Sequence, residues 1–206
     1  MRLRLPSGRR ILVTPVFFWE SRREALCVVR TAGAFHPAHV TTRMCLDLLD
    51  EHLQTHACKT LLDVGCGSGV LALTGAALGT DLCVGLDIDH RAVRLARANA
   101  GSNGLDGRTL WFTGSCGAVR GVFDCVAANL PFEVLMGLLS DLVRLTAASG
   151  VLILSGFHDI HWYQVMAEFD RLGLETLREL TRDQSFYGVP PSGSFTWKAL
   201  AARRRG

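Results

Sequence analysis

Asp63, Gly65, Gly67 and Gly69 fall at alternate positions in Leu61-Leu-Asp-Val-Gly-Cys-Gly-Ser-Gly-Val70. Glycine admits positive φ and leaves no Cβ between a ligand and the main chain. Asp87 closes the next apolar run, Leu82-Cys-Val-Gly-Leu86. A carboxylate at such a strand tip can accept hydrogen bonds from both hydroxyls of a ribose. The glycine spacing is not that of a dinucleotide loop, because Val70 stands where G-x-G-x-x-G needs its last glycine. It is not that of a phosphate loop either, because no Lys or Arg occurs between Lys59 and Arg91. Two carboxylates suit instead a nucleoside that carries positive charge and no phosphate. Cys66 and Ile88, beside these residues, are expected in the same contact set. Further along, Asn129-Leu-Pro-Phe132 offers an amide oxygen, or the Leu130 carbonyl, that can take an N–H and aim a nitrogen lone pair. Pro131 stiffens that turn and donates no competing N–H, and Phe132 can wall an acceptor pocket. The competing reading makes Asn129 a helix N-cap with proline in the first turn.

These residues must be held by strands and helices in alternation. Thr60–Val64, Leu82–Asp87, Leu110–Phe112, Phe123–Ala128 and Val151–Ser155 read as buried strands. The helical patterns between them include His90–Ala100, stopped at Gly101; one beginning at Phe132; and one from Trp162 to Leu172, closed by Gly173. Such an order builds an α/β, doubly wound, mostly parallel sheet whose ligand lies beyond the carboxyl ends of the strands. Asp63, Asp87, Ser115 and Asn129 all fall at such ends. Leu174–Leu180 and Phe195–Ala201 read as a closing antiparallel pair, joined by the loop 181–194 with Tyr187 to Gly193 at its centre. Ahead of the glycine loop, residues 1–10 read as a loose basic start. Ile11–Phe18 and Ala25–Arg30 follow as short strands about the charged turn Glu20–Glu24. A helix capped by Thr41 then runs to about Gln54. The expected division is 1–58, packed on a core formed by 59–206, in one compact unit.

A ribose diol, a cationic centre and an amino-acid end together describe S-adenosylmethionine. The Asp63 to Gly69 run with Asp87 resembles the D-x-G-x-G-x-G motif and second-strand acid of the class I S-adenosylmethionine-dependent methyltransferases, which have a Rossmann-like fold. Ala34-Phe35, His39, Thr41-Thr42 and Cys45-Leu46 resemble the A-F-G-T-G-x-H-x-T-T-x-x-C-L signature of the ribosomal protein L11 methyltransferases. His36-Pro37-Ala38 replaces its G-T-G. The resemblance runs from about Ile11 to the C-terminus. It implies that Thr42 lies against the cofactor. It also places Ser115 where many relatives hold the adenine amino group with an acid. Asn129-Leu-Pro-Phe132 is similar to the N-P-P-F/Y of amino-group methyltransferases, with Leu130 in place of the first proline. The implied reaction is methyl transfer from S-adenosylmethionine to an amino nitrogen, leaving S-adenosylhomocysteine. The implied acceptor is a protein lysine or terminal amine. That family carries a separate N-terminal domain for its ribosomal protein, and the ten residues before Ile11 are expected to be too few to supply one.

Composition bounds the alternatives. The chain has 206 residues, 49% hydrophobic and 20% charged, with a net charge of +3. That is too little positive charge to call for nucleic acid by itself. A nucleic-acid acceptor would need a basic face beside Asn129, and a small-molecule acceptor a closed pocket there. A non-catalytic module that only binds S-adenosylmethionine is the reading outside the enzymes. Seven cysteines without a C-x-x-C pair, and no leader pattern, are expected of a reducing, cytoplasmic setting. No apolar run is long enough for a membrane span. His52 and His56 stand i, i+4 on a helix, but no third ligand or H-E-x-x-H pattern accompanies them, and the reaction needs no metal.

Overall fold

The computed structural model describes residues 1–14, 25–31, 37–184 and 193–206. The expected charged turn Glu20–Glu24, Ala34-Phe35-His36 of the signature and residues 185–192 of the long loop lie outside these ranges. The described residues form two sheets. The first is a small sheet of β1 (Arg2–Arg4), β2 (Arg10–Thr14) and β3 (Cys27–Arg30), with β1 antiparallel and β3 parallel to β2. The start is therefore not loose. Buried Leu3 and Leu5 alternate with exposed Arg2 and Arg4, so it is a period-two strand with charge on its outer face.

The second sheet holds seven strands: β4 (Thr60–Val64), β5 (Leu82–Asp87), β6 (Thr109–Thr113), β7 (Phe123–Asn129), β8 (Thr146–His158), β9 (Leu174–Asp183) and β10 (Thr196–Arg204). Their spatial order is β6-β5-β4-β7-β8-β10-β9. β4 to β8 run parallel, whereas β10 lies antiparallel between β8 and β9. The doubly wound fold with an antiparallel C-terminal strand pair is thus as expected. β8, β9 and β10 extend beyond the apolar runs that announced them, because ladder bonds carry on through polar residues such as Thr181 and Lys198.

Among the described residues, five α-helices cover the sheet: α1 (Val40–Thr55), α2 (Val70–Leu78), α3 (His90–Asn103), α4 (Phe132–Leu145) and α5 (Trp162–Arg171). α1 is capped by His39, whose Nδ1 accepts from Thr41 N at 3.4 Å; Thr41 itself lies inside the helix. α3 passes Gly101 and ends at Gly104, which takes a φ of 69°. Two asparagines of α3 bind the free edge of β3. Asn103 exchanges bonds with Val28 N and O, both 2.7 Å. The fully buried Asn99 exchanges bonds with Arg30 N and O and donates to Ser68 O at 2.9 Å. The small sheet is thereby tied to the glycine loop. At its other end Asp50 of α1, also fully buried, accepts from Ser7 N at 2.7 Å and from its hydroxyl at 2.9 Å. One apolar cluster runs from Leu3 and Ile11 through α1 and α2 to Ala199 and Ala201 of β10.

Candidate functional site

β4 ends at Val64, and the chain must then turn sharply into α2. Gly65, Gly67 and Gly69 make that turn with φ values of 70°, 53° and 79°. Gly65 N and Cys66 N both donate to Leu86 O, at 2.9 and 3.0 Å, and so hang the loop over the end of β5. Packing fixes two of the three glycines. A Cβ on Gly65 would meet Leu130 Cδ2 at 2.3 Å, and one on Gly69 would meet the Trp111 ring at 2.6 Å. Nothing lies within 4 Å of a Cβ on Gly67, so there the bare backbone faces open space. Gly67 N donates to Asp87 Oδ2 and Asp89 N to Oδ1, both at 3.0 Å. Two main-chain donors thus hold the carboxylate at the tip of β5.

Asp63 sits lower and is 2% exposed. Its Oδ2 accepts from Ala72 N at 3.1 Å. Burial outweighs that bond, and with the neighbouring charge of Asp87 it pushes the Asp63 carboxyl up to about 7. Cys66 is buried beside it as a thiol raised by burial and by both aspartates.

Asn129 ends β7, in register with Ser155 of β8. Its Nδ2 donates to Thr42 Oγ1 at 2.9 Å, so Oδ1 is the amide atom left for a ligand. It does not cap α4. The cap position is Pro131, and no side-chain cap bond is made. Leu130 N donates to Ser155 O at 3.2 Å, and its carbonyl oxygen would lie 1.9 Å from a Cβ at Gly156, whose φ is 100°. The Leu130 carbonyl is therefore packed against the Gly156 backbone, while Asn129 and Leu130 both line the cleft. Gly156 was not singled out in sequence, since nothing local marks a contact with a residue on another strand. Phe132 stacks on His161 at 3.8 Å between centroids, and His158 on Trp197 at 3.6 Å.

These parts surround a cleft of about 770 Å³. Gly65, Gly67, Asp87, Ile88, Ser115, Asn129, Pro131 and Phe132 line it, as do His158, His161 and Trp197. Ile88, which lines the cleft, is 81% exposed and presents an apolar surface. Thr42, Asp63, Cys66 and Gly69 do not line the cleft and are buried: Thr42 reaches it through Asn129, Asp63 is bonded to Ala72 N of α2, and Gly69 packs on Trp111. The lining includes the carboxylates Asp87, Asp89 and Glu133 and, among the described residues, neither Lys nor Arg. His52 and His56 stack on each other at 4.6 Å, and burial drives His52 down to about 4. No group of three or more metal-ligating side chains occurs among the described residues, and none of their helices is long and apolar enough to cross a membrane.

Residues 5–184 match the family described as ribosomal protein L11 methyltransferase (PrmA). The ribosomal protein L11 methyltransferase of Clostridium botulinum (strain Eklund 17B / Type B) is 34% identical over 179 residues, covering 84% of this chain and 56% of that protein. That of Thermotoga petrophila is 38% identical over 141 residues, covering 68% and 52%. The chain spans about half the length of the curated relatives it matches. Among solved structures, ribosomal protein L11 methylase from Lactobacillus delbrueckii subsp. bulgaricus superposes with a TM-score of 0.76 at 23% identity, covering 95% of this chain and 94% of that one. Magnesium protoporphyrin IX methyltransferase from Synechocystis PCC 6803, with bound S-adenosylmethionine, gives 0.63 at 21% identity, covering 80% and 82%. At these identities the likeness is one of fold.

Proposed function

Because the chain belongs to the ribosomal protein L11 methyltransferase family, we propose that it transfers the methyl group of S-adenosylmethionine to an amino nitrogen of a protein, a lysine or a terminal amine. The observation that carries this reading is the charge of the cleft. Asp87, Asp89 and Glu133 line it, with no Lys or Arg among its described residues. Such a site favours a cationic donor and an amine, and it opposes a phosphate backbone, which needs basic groups to neutralise it.

The residues present fit the cofactor. Gly67 leaves its backbone bare, Asp87 presents at the tip of β5 a carboxylate that suits a ribose diol, and exposed Ile88 gives an apolar face for a base. We assign the ribose to Asp87, the adenine to Ile88 and Ser115, and the amino-acid end to the loop of Gly65, Cys66, Gly67 and Gly69 with Asp63 behind it. When bound, S-adenosylmethionine supplies an electrophilic methyl on a cationic sulfur. The chain's own work is orientation. Asn129 Oδ1 takes an N–H of the neutral amine and turns its lone pair toward the methyl carbon, while Pro131 and Phe132 close the acceptor side. Holding that geometry can supply several kcal/mol. Segments 1–58 and 59–206 we read as one unit, supported by the apolar cluster they share. A reducing cytoplasmic setting is supported by seven buried free thiols.

The test is incubation with methyl-labelled S-adenosylmethionine and, in parallel, ribosomal protein L11 and fractionated lysate. Label recovered as methylated lysine or terminal amine is expected. Label entering RNA instead would overturn the amine assignment, and label entering small molecules only would overturn the protein acceptor.

A further inference from the structure

One acceptor is not enough to aim a primary amine. Such a nitrogen has two N–H bonds and one lone pair, so a single hydrogen bond leaves the lone pair free to swing around the axis of that bond. Asn129 Oδ1 is one acceptor. A second stands on the neighbouring strand. Asn129 pairs with Ser155, the Leu130 carbonyl abuts Gly156, and His158 ends the same strand, lining the same cleft. The His158 ring is fixed on two sides. Its Nδ1 lies 3.2 Å from Thr196 O, and a carbonyl only accepts, so Nδ1 carries the hydrogen and Nε2 is left with a lone pair. The Trp197 indole packs on its face at 3.6 Å, and the residue is 8% exposed.

We propose that His158 Nε2 is the second hydrogen-bond acceptor for the methyl-accepting amine, so that Asn129 and His158 together hold both N–H bonds and leave the lone pair on the line of transfer. This rests on the amine reading of the site. The balance is simple: the N–C bond forms, the S–C bond breaks with its electron pair on sulfur, and the product leaves as a methylammonium with both hydrogens. His158 accepts hydrogen bonds and takes no proton. An amine that already bears one methyl has a single N–H and uses only one acceptor, so the pair favours the first transfer over the second.

His158 can serve only while neutral. Asp159 and His161 face it from the turn that follows, the Thr196 carbonyl and Trp197 from β10, and Glu133 lies across the cleft on α4. Lys198 of β10 is engaged by Glu179 and Trp162, and Asp159 accepts from the Ser194 hydroxyl at 2.5 Å. Burial is the largest influence and holds His158 below its ordinary value of 6.5; the Thr196 carbonyl and Asp159 oppose it, and His161 adds to it.

The experiment compares wild type, His158→Leu and His158→Gln, with labelled S-adenosylmethionine and either ribosomal protein L11 or poly-L-lysine as the acceptor. His158→Leu should lower kcat/KM for the first methyl on the order of tenfold, the worth of one hydrogen bond. It should slow the second transfer much less and leave S-adenosylmethionine affinity within about twofold. His158→Gln, which keeps an acceptor oxygen, should recover most of the first-transfer rate. In wild type, log kcat/KM rises with pH at unit slope as the amine deprotonates, and the slope should steepen toward two at acid pH. The Gln variant should keep unit slope throughout. Equal loss of both transfers, wild-type activity in the Leu variant, or an unchanged acid limb in the Gln variant would overturn the assignment. A wild-type chain that binds S-adenosylmethionine yet labels no amine would overturn the function and this role together, and the binding measurement tells the two failures apart.

Discussion

Asp63 shows how one carboxyl serves two states of the molecule. With only the Ala72 N–H as a described partner and burial around it, it titrates near 7 rather than at its ordinary 3.8. A raised carboxyl pKa means that its stabilising share is complete below about 4 and is lost as pH rises through about 7. Asp63→Asn should therefore raise the melting temperature at pH 8, flatten the decline of stability between pH 4 and 7, and weaken S-adenosylmethionine binding. Urea denaturation across that pH range and calorimetry on the same preparation check all three. Thr42 is the other residue whose effect is indirect. Its hydroxyl decides which end of the Asn129 amide faces the cleft, so Thr42→Val should cost about 1 kcal/mol of stability and roughly tenfold in kcat, with little change in cofactor affinity. Single-turnover methylation beside thermal melts separates these effects. A drop in affinity matching the drop in kcat would show instead that Thr42 serves the cofactor.

At the scale of elements, the parts that were legible in sequence were those whose signal is local. Three glycines, the acids in the last two residues of β4 and β5, and the apolar runs between turns placed the loop and the central strands correctly. What escaped was set by contacts between strands. β1 was hidden because Arg2 and Arg4 flank Leu3, and only the small sheet beneath shows which face is apolar. Nothing local in the sequence marks the asparagines of α3, yet Asn99 is fully buried and bonds the β3 backbone as a neighbouring strand would. Gly156 is the sharpest case. Its backbone meets the Leu130 carbonyl at a separation that no side chain allows, and its φ of 100° is strained for any other residue. Gly156→Ala should destabilise the fold by roughly 3 kcal/mol and shift the Asn129 turn, lowering turnover per folded molecule as well. Denaturant midpoints with activity corrected for folded fraction check this. Wild-type behaviour in both would mean that the turn yields at no cost.

Over the whole molecule, charge is divided unevenly. The chain carries a net +3, while the described lining of its cleft has three carboxylates and no Lys or Arg. A cationic sulfonium should feel that local field and a neutral thioether should not. The ratio of affinities for S-adenosylmethionine and S-adenosylhomocysteine should therefore fall severalfold as salt rises from about 0.01 to 0.5 M, as the Debye length shrinks from roughly 30 Å to a few ångströms. Calorimetric titrations of both ligands at each salt concentration measure it, and a constant ratio would argue that the carboxylates are too solvated to discriminate.

The placing of β10 between β8 and β9 also sets a timetable. As the polypeptide is made, β9 emerges with no neighbour to join, because the strand that will link it to the sheet has yet to be synthesised. β8 waits with one side open, and the groups that β10 brings, the Thr196 carbonyl and the Trp197 ring, arrive after every other described wall of the cleft. The nascent protein can assemble its glycine loop early, but the described wall of the cleft is complete only once β10 has joined. A chain cut short before Thr196 would therefore carry an unpaired β9 and a cleft without the Thr196 carbonyl and the Trp197 ring.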